Sequence, residues 1–149
     1  MKIAELEVDV DGVTHDLNIE EAVSIDRTDL DMEFSNHPRI YAKFSTLAEI
    51  AKDRMNRRKW ELDQLEASLD AEKRTEAALL SAQNPKFRYT ETMCENEIKG
   101  DIRYKTKKEE WLAACLLANQ LTAWVDALCH KKDMLISLGA NHRAAMTKI

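Results

Sequence analysis

Apolar and polar positions alternate over residues 3–17, where Ile3, Leu6, Val8 and Val10 precede Asp11-Gly12, and Val13 and Leu17 follow it. Alternation of this period marks half-buried strands. Asp-Gly between β-branched residues marks a type I′ turn, whose two central residues both need positive φ. The pattern predicts a small hairpin. Two strands alone are marginal in water, so this hairpin must pack on something or stay mobile. Residues 18–25 can add one or two helical turns. Asp26 or Thr28 can then cap a helix that begins at Asp29-Leu30, because either side chain can accept from orphan first-turn amides. Pro38 follows, and it is expected to restart or kink that helix.

Beyond Pro38 the period changes. Tyr41, Phe44, Ala48, Ala51, Met55, Leu62, Leu65 and Leu69 recur at three- and four-residue steps, with Arg58 on the seam between Met55 and Leu62. No Gly or Pro interrupts the chain from there to about Gln83. This stripe predicts a long helix packed in coiled-coil style. At 1.5 Å per residue its 46 residues would extend about 70 Å. A helix of that length must protrude or find partners. Asn84-Pro85 ends it, and residues 84–90 form a loop. Thr90 or Thr92 can cap a short helix to Lys99, and Thr92 with Glu95 has capping-box spacing. Gly100 closes that piece. Residues 104–138 form a second long helix, striped by Trp111, Ala114, Ala118, Leu121, Val125, Leu128 and Leu135. Leu112, Leu116 and Trp124 widen its apolar face, Lys132 interrupts the seam, and Gly139 stands as its C-cap. Trp111, Leu121, Val125, Leu128 and Leu135 are the candidates for oligomerisation.

Composition agrees with long helices. Among 149 residues there are only 3 Gly and 2 Pro, too few for a Gly-rich phosphate loop plus the turns of a many-stranded sheet. The expected fold is mainly α. Two long amphipathic helices form a coiled-coil-like hairpin or bundle, with a small N-terminal β-hairpin, in an oligomer. Residues 1–24 are expected to form an acidic head, and residues 25–149 a helical body that oligomerises. The 3 cysteines, Cys94, Cys115 and Cys129, lack a disulfide-framework spacing, which fits a reducing compartment. Met1-Lys2 is followed quickly by acids, so no signal segment is expected. The longest apolar run, Trp111 to Ala118, is 8 residues and too short to span a bilayer. A cytoplasmic protein with no membrane contact is the expectation.

Charge changes the picture. The net value of −5 argues against a polyanion partner. However, residues 1–36 hold 2 basic and 11 acidic side chains, whereas residues 37–149 hold 20 basic and 16 acidic ones. The acidity belongs to the head, and the body is mildly basic. Lys52, Arg54, Arg57, Arg58 and Lys59 fall within eight residues. Three of them, Arg54, Arg57 and Arg58, share one helix side by their spacing. A solvated helix face shows the same pattern. The alternative is a phosphate-tracking surface, with Trp60 available to stack a base. Lys73-Arg74 and a run at 103–108 add charge. The loop Lys86-Phe87-Arg88-Tyr89 alternates cation and ring, as single-stranded nucleic-acid sites do, although two aromatics packed on a helix pair would look identical. The four histidines are scattered, and no metal-ligand spacing occurs. No Ser- or Cys-centred motif suggests a nucleophile with its base. No enzyme, catalytic residue, metal or cofactor is expected.

Three stretches carry a family resemblance: Ile25-Asp-Arg-Thr-Asp-Leu through Asn36 to Tyr41-Ala-Lys-Phe44, then Arg88-Tyr-Thr-Glu-Thr-Met-Cys-Glu-Asn-Glu-Ile-Lys99, then Trp124-Val-Asp-Ala-Leu-Cys-His-Lys-Lys-Asp-Met-Leu-Ile-Ser-Leu138. Their order and spacing resemble the UvsY family of phage recombination mediators, over about a third of the chain. The resemblance implies a non-enzymatic protein of phage DNA recombination and repair, acting in the host-cell cytoplasm. It would bind single-stranded DNA and form a ring of about six or seven subunits. It would help a RecA-like recombinase displace single-strand-binding protein. Carried onto this chain, the DNA contacts would come from Arg57, Arg58 and Lys59 or from Lys73 and Arg74. The residue pattern itself adds Lys52, Arg54, Lys86 and Arg88. The acidic head and the negative overall charge depart from the family pattern. Two other readings stand beside it. One is a helical scaffold or assembly protein with no nucleic-acid role. The other is an adaptor whose acidic head binds a basic partner.

Overall fold

A computed structural model describes residues 3–148. Met1 and Lys2, which bear on the expected absence of a signal segment, lie outside the described residues. The fold is mainly helical, with long helices and a two-stranded antiparallel sheet at the N-terminus. The chain divides into two compact units, one made of Met1–Ile50 with Ala118–Ile149 and the other of Ala51–Leu117.

In the first unit, β1 (Glu5–Val10) pairs with β2 (Val13–Asn18), bringing Leu6 opposite Leu17, Val8 opposite His15 and Val10 opposite Val13. Asp11 and Gly12 both have positive φ, 52° and 80°, as the turn requires. Gly12 N–H donates to Asp9 Oδ1 at 3.1 Å. Val8 and Leu17 are buried, whereas Glu5, Glu7, Asp9 and Asp16 point to solvent. Val10 and His15 border a cleft shared with Ala42, Thr46, Leu47 and Ile50, so the hairpin rests on a helix. The short helix α1 (Ile19–Val23) is capped by the Asn18 side chain, which accepts from Glu21 N–H at 3.1 Å.

The long helix α2 (Leu30–Gln83) begins one residue after Asp29, whose carboxylate accepts from Met32 N–H at 3.2 Å. Asp29 therefore caps it, in place of Asp26 or Thr28. Those two residues instead close a local turn, with Asp26 Oδ1 accepting from Thr28 N–H at 2.9 Å. The helix runs through Pro38 without a break. Pro38 comes in the third turn, where it forfeits one amide donor and its ring crowds the carbonyl four residues earlier, yet the helix continues on both sides.

The last helix, α4 (Ile102–Thr147), extends well beyond Leu138. Gly139 does not end it. Gly139 is buried, and a Cβ there would meet Phe34 Cε2 and Cζ at 3.3 Å. Its missing side chain admits the Phe34 ring of α2. Residues 140–147 are free of Gly and Pro and rich in alanine, which lets the helix continue. By length and composition α4 is apolar enough to cross a membrane, although its longest unbroken apolar run is short. Only 22% of its most apolar 18-residue stretch is buried. Along the helix Ala118, Leu121, Trp124, Leu128 and Leu135 are the buried apolar side chains that pack. Phe44 meets Trp124 with ring centroids 6.2 Å apart.

A buried cation sits among these apolar side chains. Lys131, whose side chain is 3% exposed, binds Glu33 Oε2 at 2.9 Å and donates to the Ala22 carbonyl at 3.0 Å. The Lys131 ammonium holds the Glu33 carboxyl below its ordinary range. His37 is also buried, and its Nδ1 has no hydrogen-bond partner among the described residues. Desolvation, reinforced by the Lys131 charge, lowers its pKa. His37 lies beside an open apolar cleft of about 430 Å³ lined also by Phe34, Pro38, Tyr41, Cys129 and Leu135.

In the second unit, α3 (Glu91–Gly100) is capped by Thr90, which accepts from Met93 N–H at 3.2 Å. Leu69, Cys94 and Ile98 form a buried cluster, with Leu65, Tyr89 and Tyr104 packed against it. Asp101 alone separates α3 from α4, and its carboxylate accepts from Arg103 N–H at 2.9 Å.

Removing one partner of a buried ion pair strands the other charge, which costs roughly 3–5 kcal/mol. Glu33→Ala should therefore lower the urea midpoint sharply, whereas Glu33→Leu with Lys131→Met should recover most of the loss. The sign of the pH dependence follows from the two depressed pKa values. The unfolded chain takes up protons near the ordinary values of 6.5 for His and 4.5 for Glu, which the folded His37 and Glu33 resist. Their stabilising contribution is complete above pH 6.5 and lost as pH falls, first through His37 and then through Glu33. In denaturation midpoints measured against pH, His37→Gln should flatten the upper limb and Glu33→Gln the lower.

Candidate nucleic-acid interface

Residues 51–117, which make up the second unit, hold 14 basic and 13 acidic side chains. Arrangement rather than net charge decides what they can bind. On α2, acids stand one turn from the cations, and the helix period brings them together. Arg57 Nε binds Asp53 at 2.7 Å, and Lys59 Nζ binds Asp63 at 2.9 Å. Arg58 lies 3.0 Å from Glu61 and 3.7 Å from Glu110 of α4. Its seam position suggested burial, but its side chain is 46% exposed. Lys107 of α4 completes this group at 3.5 Å from Glu61 and 3.2 Å from Glu110. Arg58 holds the Glu61 carboxyl below its usual range, and Glu110 raises the Lys107 ammonium. Lys52 and Arg54 are half-buried beside this stretch. Exposed pairs of this kind contribute little stability, so a phosphate can exchange with their carboxylates.

Lys73 and Arg74 are committed differently. Arg74 bridges Asp70 at 2.9 Å and Glu91 at 2.7 Å, while Cys94 Sγ donates to the other Asp70 oxygen at 3.3 Å. The guanidinium lowers both carboxyls, and burial pushes the Cys94 thiol up. Lys73 is largely covered and lies 3.7 Å from Asp101. Arg103 joins Asp101 at 2.9 Å to Glu72 at 3.1 Å. These cations fasten α3 and the start of α4 to α2.

The loop between α2 and α3 uses its rings for packing. Tyr89 joins the Leu69–Cys94–Ile98 cluster and donates to Glu97 Oε2 at 2.8 Å. Phe87 stacks on Tyr89 at 6.4 Å between centroids. Lys86 and Arg88 point outward, and neither makes an ion pair among the described residues.

The start of α4 holds cations that pattern reading undervalued. Lys59 Nζ and Lys108 Nζ both approach the Trp111 ring, at 5.0 and 4.6 Å from its centroid. The run of basic residues at 103–108 was visible in the sequence, but its meeting with Lys59 was not. Trp60 is 64% exposed, so in this chain it is not a core side chain.

The candidates for oligomerisation separate. Leu121, Leu128 and Leu135 are fully buried within the single chain, and Trp111 and Val125 are half-buried. The large apolar side chains that α4 leaves in solvent are Ile102, Leu112, Leu116, Met134, Ile136 and Met146. Five carboxylates, Asp63, Glu66, Asp70, Glu91 and Glu95, border a cleft with Lys99. Among the described residues no group of three or more His, Cys, Asp or Glu side chains could hold a metal ion.

With this geometry in hand, comparison of the chain with protein-family models, curated proteins and solved structures gives no match.

Because Arg74 ties two carboxylates across α2 and α3, Arg74→Ala should raise amide hydrogen exchange in residues 91–100 while leaving the hairpin amides unchanged. Equal exchange in α3 of the variant and the parent would show that the bridge holds nothing.

Proposed function

We propose that this chain is a single-stranded-DNA-binding recombination mediator. It acts as a homo-oligomer in the host-cell cytoplasm and helps a RecA-like recombinase load onto DNA covered by single-strand-binding protein. The observation that carries this reading is Trp60, a 64% exposed indole that directly follows Arg57, Arg58 and Lys59 on α2. An exposed ring beside exchangeable cations is the chemistry of a single-strand site: charge tracks the backbone and the π-face takes an unstacked base without regard to sequence. The UvsY-like stretches supply the rest. The first runs into α2, the second covers the end of the loop and α3, and the third lies on α4. Leu112 and Leu116 leave apolar surface for contact between copies. Repetition in an oligomer would then multiply a weak patch through effective concentration.

A scaffold with no nucleic-acid role is the second reading, and the ion pairs that already occupy Arg57, Arg58 and Lys59 favour it. Anisotropy of a labelled oligo(dT), titrated at increasing salt, separates the two. The mediator reading expects binding at low salt that weakens as salt rises. Arg57→Glu/Arg58→Glu/Lys59→Glu should abolish it, and Trp60→Ala should weaken it by about tenfold, the effect of losing one stacked base. A defined oligomer in light scattering with no oligo(dT) binding at low salt would leave the scaffold.

A further inference from the structure

We propose that Lys59 and Lys108 together form a phosphate-binding clamp braced on Trp111, so that the single-strand site spans α2 and α4 rather than lying on α2 alone. This rests on the DNA-binding reading above and assigns the place where the backbone is held.

Uncompensated charge points there. Arg57 and Arg58 each face a carboxylate within 3.0 Å, and a phosphate must displace it. Lys108 makes no ion pair among the described residues, and its ammonium lies over the face of Trp111. An anion approaching Lys108 therefore has no ion-paired carboxylate to displace from that ammonium. Lys59 contributes the second ammonium, placed by the indole; like Arg57 and Arg58 it faces a carboxylate, Asp63 at 2.9 Å, which a phosphate must displace.

The geometry suits a shared anion. Both ammonium groups lie within about 5 Å of one ring centroid, which keeps them within about one Debye length of each other at 0.1 M salt. Two like charges so placed repel, and an anion bound near both offsets that repulsion. The half-buried indole attracts both cations through its π-face and limits their wandering, so less freedom is lost on binding. Trp60 follows Lys59 directly and can take the adjoining base. A clamp of this kind reads phosphate and ring but not base edges, so binding should be indifferent to sequence.

The test is oligo(dT) binding by the full-length chain over a range of salt, followed by anisotropy and by tryptophan emission. Lys108→Ala should weaken binding several-fold and reduce the slope of log K against log salt by about 0.7, the value for one released single-strand phosphate contact. Lys108→Arg should restore most of both. Lys43→Ala, which removes an exposed charge from the first unit, should change neither. Trp111→Leu should reduce the affinity while oligo(dT) still quenches Trp60. If Lys108→Ala matches the parent while the Arg57/Arg58/Lys59 reversal abolishes binding, the clamp is wrong and the DNA-binding reading stands. If affinity falls with an unchanged salt slope, Lys108 acts through structure and the clamp is again wrong. If the parent chain binds no oligo(dT) at low salt, the functional reading itself fails.

Discussion

The first unit depends on one buried charge. Lys131 cannot leave water without an anion and an acceptor, because an unpaired ammonium in an apolar interior is prohibitively costly. Glu33 and the Ala22 carbonyl meet that demand, and in doing so they tie α4 to the start of α2 and to α1. The neighbouring contacts agree with that alignment. Phe34 meets Gly139, Cys129 Sγ lies 3.5 Å from Tyr41 Oη, and Phe44 meets Trp124. As residue numbers rise along α2 they fall along α4, so the two segments are antiparallel. Aliphatic stripes alone tolerate slippage by a heptad, whereas a buried polar pair does not. Burial, and after it the same Lys131 charge, lowers the pKa of His37.

The second unit is aligned by surface ion pairs instead. Glu61 with Lys107, Arg58 with Glu110, and Glu72 with Arg103 again run antiparallel along α2 and α4. These pairs draw on cations that a polyanion would also want. A polyanion would have to compete with Glu61 and Glu110 for Arg58, while Arg74 and Lys73 are committed to holding α3 and the start of α4. What remains for a ligand is a smaller set than the basic composition implies: Lys108 beside Trp111, the exposed Trp60, and the outward Lys86 and Arg88. Charge in residues 51–117 is nearly balanced, with 14 basic and 13 acidic side chains.

Much of the fold was legible in the sequence because its signals are local. Asp11-Gly12 demands positive φ wherever it occurs between strands. Asn84-Pro85 stops a helix by local sterics, and Thr90 caps the next one through its own hydroxyl. Errors arose where a local rule met a distant partner. Gly139 reads as a helix end, yet its role is to make room for a ring more than a hundred residues away in sequence. Arg58 reads as a seam residue, but Glu61 and Glu110 keep it at the surface. Lys132 reads as the interruption in the apolar stripe, whereas the buried cation is its neighbour Lys131. One residue is about 100° of helix rotation, and a stripe read from spacing does not resolve it without the partner helix.

The sequence by itself determined the element types, their order and the acidic face of the hairpin, because turn chemistry, capping and hydrophobic period act within a few residues. It also placed cations and rings together on α2, which is as far as composition reaches toward a binding site. Tertiary structure decided which of those cations are already occupied, which tryptophan stays in solvent, and that α4 brings Lys108 to the same indole as Lys59. The physical reason is that charge becomes a site only after neutralisation by neighbours is counted. Those neighbours, Glu110 for Arg58 and Glu91 for Arg74, lie on other helices.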